Sequence, residues 1–291
     1  MKTATLEDLP LLSAYLNSEP RPLSSSTPGV LFMWRDFFRL AYAEEDGTLL
    51  LRLAYDGERN AYLFPVGRDP EGAVRRLFDE AKAKGEPLSF FGLTEKDRDR
   101  LLAIFPNATV ESDRGEADYL YNTQELATLA GRRFGGQRNH VNRFDRLYPD
   151  HTLTPLTEAD VPALLAFLDA FAKTHAERPL FLEELDMTRE VLTNYAAYGM
   201  QGVVLRVGDA VAAFAVGEVI GDMLAVHIEK ADTAFSGAYQ KIVSGFAATV
   251  DPVAVPFINR EDDMNDEGLR KSKLSYHPAA ILDKWRITIP T

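Results

Sequence analysis

Leu224-Ala225-Val226-His227-Ile228-Glu229-Lys230-Ala231-Asp232 runs into Thr233-Ala234-Phe235-Ser236-Gly237-Ala238-Tyr239-Gln240, and the fold turns on this passage. Its first half reads as a strand. Alternation puts His227 and Glu229 on one face, and Val226 and Ile228 on the other. Its second half opens a helix over about residues 236–249. At that start, Gly237-Ala238 offers backbone N–H groups that a phosphate or carboxylate can meet. Just upstream, 202–207 and 210–219 alternate in the same manner. Tight turns at Gly208-Asp209 and Gly221-Asp222 join the three strands. Hairpins of this kind build an antiparallel sheet, and the helix that follows must cover one of its faces.

Further out, 158–173 and 180–198 read as helices, with Pro179 at the start of the second. Downstream come a strand at 254–258, a helix at 266–274 and a strand at 285–289. The first half of the chain has a related order. A helix at 5–17 and a Ser/Pro-rich loop at 20–28 lead into strands at 30–34, 48–54 and 61–65, with Asp56-Gly57 as a turn. Then follow a helix at 70–84, a strand at 88–91, a helix at 94–104, a strand at 108–112 and one more at 118–121. Strands in hairpins, then helix, strand, helix, strand, occur twice. This predicts an architectural duplication of α/β (α+β) units, with domains at 1–150 and 151–291. The first would end in a basic linker helix over 131–148.

The composition is that of a globular chain, 46% hydrophobic and 26% charged over 291 residues, enough to bury a sizeable core. The net charge of −12 is spread over both halves and argues against a general polyanion binder, so no DNA partner is expected. With no cysteine in the chain, disulfides and thiolate metal sites are excluded. Neither a signal-like leader nor an apolar run of membrane-spanning length is visible, so a cytoplasmic protein without a transmembrane segment is expected.

Three stretches could carry chemistry. Residues 131–146 hold five arginines against one aspartate. Helical spacing brings Arg138 near Asn142, and Asn139 near Arg143, beside an apolar stripe of Phe134, Val141 and Phe144. Such a face suits a phosphate or carboxylate, because Arg donates paired hydrogen bonds in a fixed fork. It equally suits a solvated inter-domain helix on an acidic surface. The second stretch is the opening passage, where a His and a carboxylate can serve as base and orienting partner, or can simply face solvent. The third runs from Asn259 to Tyr276. Its acidic cluster fails as a calcium loop, since Leu274 stands where a bidentate Glu is needed. Asp266 and Glu267 in the first turn, with Arg270, Lys271 and Lys273 toward the end, are ordinary helix design. That account leaves Asn259, Arg260, Glu261, Ser275 and Tyr276 unexplained. The five histidines are scattered, and no metal site is expected.

Taken together, Asp118-Tyr-Leu-Tyr, Gly131 through Phe144, His227-Ile-Glu-Lys-Ala, Gly237-Ala-Tyr-Gln and Asn259-Arg-Glu-Asp-Asp through Leu274-Ser-Tyr-His-Pro resemble the phosphatidylglycerol lysyltransferase C-terminal-like family. The resemblance implies tandem GNAT-like (acyl-CoA N-acyltransferase) domains, each a mixed, mostly antiparallel sheet flanked by helices, in a soluble stand-alone member. It also implies acyl or aminoacyl transfer from acyl-CoA or aminoacyl-tRNA to an amine or hydroxyl acceptor, either a small molecule, a peptide or a lipid head group. No tightly bound cofactor is expected, and helix 131–146 is the basic contact open to a tRNA. In such a fold the thioester or ester would sit between the strand carrying His227 and Glu229 and the helix opening at Gly237. Glu229 or His227 would then act as base or water relay, and N–H groups near Ser236, Gly237 and Ala238 would meet the donor. Tyr239 or Tyr276 would protonate the leaving group. Arg138, Arg260 and Lys273 would hold anionic portions of the substrates, beside Asn139, Asn142, Asn259, Glu261, Asp262, Arg270 and Ser275. Two competing readings share the fold: a non-catalytic sensor of a small ligand, and a structural partner dimerising through the apolar N-terminal half.

Overall fold

The computed structural model describes the backbone of residues 1–54, 60–175 and 179–291, and the side chains of these residues except 174–175 and 179–182. The expected turn at Asp56-Gly57 lies outside the described residues. The chain forms two compact units. One gathers Met1–Asp118, Asp262–Asp266 and Ile281–Thr291, and the other gathers Tyr119–Glu261 and Glu267–Ala280. The sequence division near 150 is an expectation drawn from element order. Compactness follows the cores, and its boundaries fall elsewhere.

The first unit contains β1 (Lys2–Thr3), α1 (Leu9–Ser18), α2 (Pro28–Met33), β2 (Ala41–Glu45), β3 (Thr48–Leu53), β4 (Ala61–Tyr62), β5 (Val66–Gly67), α3 (Pro70–Lys84), β6 (Leu88–Leu93), α4 (Glu95–Ile104) and β7 (Thr109–Ser112). The strand expected over Val30–Trp34 is instead helix α2. Thr27 caps it by accepting from Val30 N, and Pro28 occupies its first turn. Pro28, Gly29, Leu31, Phe32 and Met33 are all buried, so the apolar run belongs to a helix enclosed by the core. Periodicity does not separate such a helix from a buried strand. Helix α3 follows its signals: Asp69 accepts from Gly72 N, and Gly85 ends it with a φ of 66°.

The second unit is built on β8 (Asp118–Asn122), α5 (Thr123–Thr128), α6 (Gly135–Leu147), β9 (Thr152–Pro155), α7 (Val161–His175), α8 (Pro179–Thr193), α9 (Tyr195–Tyr198), β10 (Gln201–Val207), β11 (Ala210–Ile220), β12 (Met223–Ala231), α10 (Ala238–Ala247), β13 (Phe257–Asn259) and α11 (Glu267–Leu274). Strand β14 (Ala280–Leu282) follows, and β15 (Trp285–Ile289) closes the chain. The described strands form two sheets, in the orders β1-β2-β3-β4-β6-β15-β7, with β5 on β3, and β14-β8-β13-β12-β11-β10-β9. Both are mainly antiparallel; β4 with β6 and β12 with β13 are parallel pairs. Tyr119, Tyr121, Phe134, Phe144, Ile242, Phe246 and Ile258 fill the second unit's core. There α10 covers the sheet, and the apolar side of α6 packs beside it.

The feature that positions the site is a bulge. Val216 pairs with Ile228 and Gly217 pairs with Val226, so His227 is the extra residue on β12. The simple alternation expected for 224–231 is therefore broken at His227. Gly217 is required there, because a Cβ on it would lie 2.2 Å from the Ala225 carbonyl oxygen.

Candidate functional site

The end of β13 carries Asn259, whose side-chain oxygen accepts from Glu261 N at 2.7 Å. The turn so formed holds Glu261 at a φ of 57°, with its carbonyl accepting from Tyr119 N. Arg260, between them, points into the second unit. Its Nη2 donates to Glu229 Oε1 at 2.6 Å. Its guanidinium lies 4.8 Å from the Tyr276 ring centroid and 5.6 Å from that of Tyr121. Lys273, buried on α11, donates to the Arg260 carbonyl at 2.5 Å. The Tyr121 hydroxyl donates to the Lys273 carbonyl at 2.8 Å. Arg260 Nη1 is buried and has no hydrogen-bond partner among the described residues. Burial opposes the charge on Arg260, but Glu229 outweighs it and the guanidinium stays firmly protonated.

His227 sits beside this pair. Its Nδ1 is 2.9 Å from Glu261 Oε1 and its Nε2 is 3.0 Å from Glu218 Oε1. Burial alone would lower its pKa, yet its hydrogen bonds to Glu218 and Glu261 raise it to about 9. Near neutral pH both ring nitrogens therefore carry protons and donate. Burial raises the phenols of Tyr276 and Tyr239, the latter to about 12, so both keep their protons at neutral pH. The cluster thus offers carboxylates as proton acceptors, phenols as proton donors and a buried guanidinium as a fixed positive group.

The three sequence stretches meet here in part. Arg260 contacts Glu229, Lys273 and Tyr276, and Glu261 contacts His227 and Asn259. Ser275 accepts from Gln137 Nε2 of α6 at 2.6 Å, and His277 Nε2 lies 3.0 Å from the Arg133 carbonyl. A Cβ on Gly237 would lie 2.5 Å from the His140 carbonyl, so the start of α10 is packed against α6. The Ala238 N–H is bonded to the Phe235 carbonyl, and Ser236 is half-buried at the same corner. Arg138 donates to the Leu129 and Gly131 carbonyls, at 2.5 and 2.9 Å, and closes that loop. Asn139 and Asn142 are exposed on α6, and Arg270 is half-buried on α11. Asp262 belongs to the first unit, where Lys284 Nζ reaches it at 2.9 Å and Asp118 at 2.7 Å. Sequence reasoning assigned no role to Glu218 or Tyr121. The signal for Glu218 was present: it is the one charged residue in Ala210–Ile220, directly after the glycine that faces the bulge.

Among the described residues no group of three or more His, Asp and Glu could hold a metal ion, and no helix is long and apolar enough to cross a membrane.

Comparison with known proteins gives this geometry a family. A conserved protein of unknown function from Bacteroides thetaiotaomicron has a solved structure 34% identical to this chain, with a TM-score of 0.92 over 99% of this chain and 98% of that one. L-PGS from Bacillus licheniformis superposes with a TM-score of 0.66 at 14% identity over 97% and 92%. FemX does so with 0.62 at 10% identity over 99% and 96%. The latter two likenesses show the fold, which is tandem GNAT-like. An uncharacterised protein of Mycoplasmoides gallisepticum is 24% identical over 59% of this chain, and the match spans 56% of that relative's length. The family model for the C-terminal region of phosphatidylglycerol lysyltransferase matches residues 19–288, and the chain belongs to that family.

Proposed function

We propose that the second unit transfers an acyl or aminoacyl group from an acyl-CoA thioester or an aminoacyl-tRNA ester to an amine or hydroxyl acceptor. The observation that carries this reading is Arg260: a buried guanidinium, neutralised through Nη2 by Glu229, with Nη1 unpartnered. Because Glu229 already balances its charge, Nη1 suits a neutral carbonyl oxygen that gains negative charge as the nucleophile adds. Glu229, directly or through a water, takes the proton that the nucleophile releases. Tyr276, over the same guanidinium, or Tyr239 returns a proton to the departing thiolate or ribose oxygen. The family and the likeness to L-PGS and FemX support the reaction class. The exposed Asn139 and Asn142, the half-buried Arg270, and the corner at Ser236-Gly237 are proposed to contact the donor.

The test is turnover of radiolabelled acetyl-CoA and of charged tRNA with amine and hydroxyl acceptors. Arg260→Lys, which keeps the charge but removes the planar fork that places Nη1 apart from Nη2, is expected to cost about 10²–10³-fold in rate. Glu229→Gln is expected to cost about 10²–10⁴-fold. Turnover that survives both changes would remove the site.

A further inference from the structure

We propose that Glu218 is a positioning residue: through the buried ring of His227 it fixes the orientation of Glu261 at the edge of the polar site. The inference extends the transferase reading and rests on it for its consequence in catalysis. Its geometric content stands on its own.

Three elements converge on one imidazole. Glu218 comes from β11, His227 from the bulge of β12, and Glu261 from the turn after β13. The His227 side chain is fully buried, whereas those of Glu218 and Glu261 are 15% and 28% exposed. The cation therefore lies behind two carboxylates that reach toward solvent. A regular β12 would leave His227 inside the ladder register, so the extra residue at this point is what brings the ring between its partners. Glu261 is held on its other side as well. Its N–H is bonded to Asn259 and its carbonyl to Tyr119, and its φ of 57° is uncommon for a non-glycine residue. Backbone held in such a conformation by surrounding bonds is a mark of functional placement.

The chemistry follows from the donor count. A neutral imidazole donates from one nitrogen only, and its other nitrogen would then meet a carboxylate lone pair to lone pair. Glu218 on Nε2 favours the ring that carries both protons, so near neutral pH Nδ1 presents a donor to Glu261. Without Glu218 the ring can lose a proton or turn over, and Glu261 loses its fixed partner. Glu229 does not substitute, because Arg260 holds it. The outcome for Glu261 is a carboxylate that keeps one aim beside the Arg260–Glu229 pair.

Glu218→Gln and Glu218→Asp test this in the full chain. Nitrogen-15 NMR of the His227 ring should show two protonated nitrogens in the wild-type protein at pH 7. The Gln variant should lower the midpoint of that titration by at least one pH unit, and its crystal structure should show Glu261 displaced. In the turnover assay, the Gln variant should be slower by about tenfold with a shifted pH profile, and Asp should recover part of the rate. A singly protonated ring in the wild type, or a Gln variant in which Glu261 keeps its place, overturns the proposal. So does a rate and pH profile unchanged by Gln, which would leave the triad as a tie between strands. A wild-type protein without turnover counts against the transferase reading instead, while the ring titration and the Glu261 position still decide whether Glu218 acts as proposed.

Discussion

Arg260 and His227 are buried cations one or two residues from surface-reaching carboxylates, and the imidazole depends on its partners to stay charged. For His227 this dependence is measurable as stability. Its folded-state pKa of about 9 stands above the ordinary 6.5. Proton binding therefore favours the folded state. The contribution is fully present below about pH 6.5 and is lost as pH rises through 9. At about 1.4 kcal/mol per pH unit, the difference amounts to about 3 kcal/mol. Urea unfolding at pH 6.5 and pH 10 should show the wild type losing about that much more stability than His227→Gln, which has no such proton to release. Equal losses in the two proteins would mean that the ring is not held between charges. At this scale the sequence was half legible. His227, Glu229 and Arg260 stand out because charged side chains interrupt apolar strands. The partnership of His227 with Glu218 was hidden, since it depends on a register shift that no periodicity reveals.

That register shift belongs to the strand pair, and Gly217 is its hinge. A Cβ there would come within 2.2 Å of the Ala225 carbonyl and 3.2 Å of the Val226 Cα. Both neighbours are backbone, so the strands must move. Gly217→Ala is expected to cost about 1–3 kcal/mol and to broaden or shift the His227 ring signals. Gly136→Ala is the matched control: nothing lies within 4 Å of its Cβ in α6, and replacing a helical glycine should stabilise by about 0.5–1 kcal/mol. Denaturation midpoints moving in opposite directions would support the bulge as a specified feature; parallel shifts would not. Elements with strong local signals were readable in the sequence. Gly208 and Gly221, at φ of 57° and 58°, mark the hairpin turns between β10, β11 and β12 as expected from Gly-Asp. The capped, proline-started α3 was equally plain. Helix α2 was not, because an apolar run carries no period when every side is buried. Strand β2 escaped notice as well, since Ala41–Glu45 passes from buried to exposed along its length and shows no alternation.

On the scale of the whole chain, connectivity has a consequence for stability. The first unit is completed by the last eleven residues, and β15 lies between β6 and β7 as an interior strand. Ile287 and Ile289 are buried in the same core as Phe90 and Leu93. Lys284, just before β15, is buried between Asp118 and Asp262; burial opposes its charge, and the two carboxylates more than restore it. Asp118 is in turn bonded to Ser24 N at 2.6 Å and Ser24 Oγ at 2.9 Å. Removing residues 284–291 would therefore expose the facing edges of β6 and β7 and leave a fully buried carboxylate without its cation. Either loss alone is large: removing one partner of a buried pair costs about 3–5 kcal/mol. A chain ending at Asp283 should lose hydrogen-exchange protection across Leu88–Leu93, whereas Lys284→Met in the full chain should keep β15 paired and lower the unfolding free energy by about 3–5 kcal/mol. Protection of β6 that persists in the shortened chain would show that the interior strand is dispensable, and the first unit would then have to be complete without its C-terminal segment.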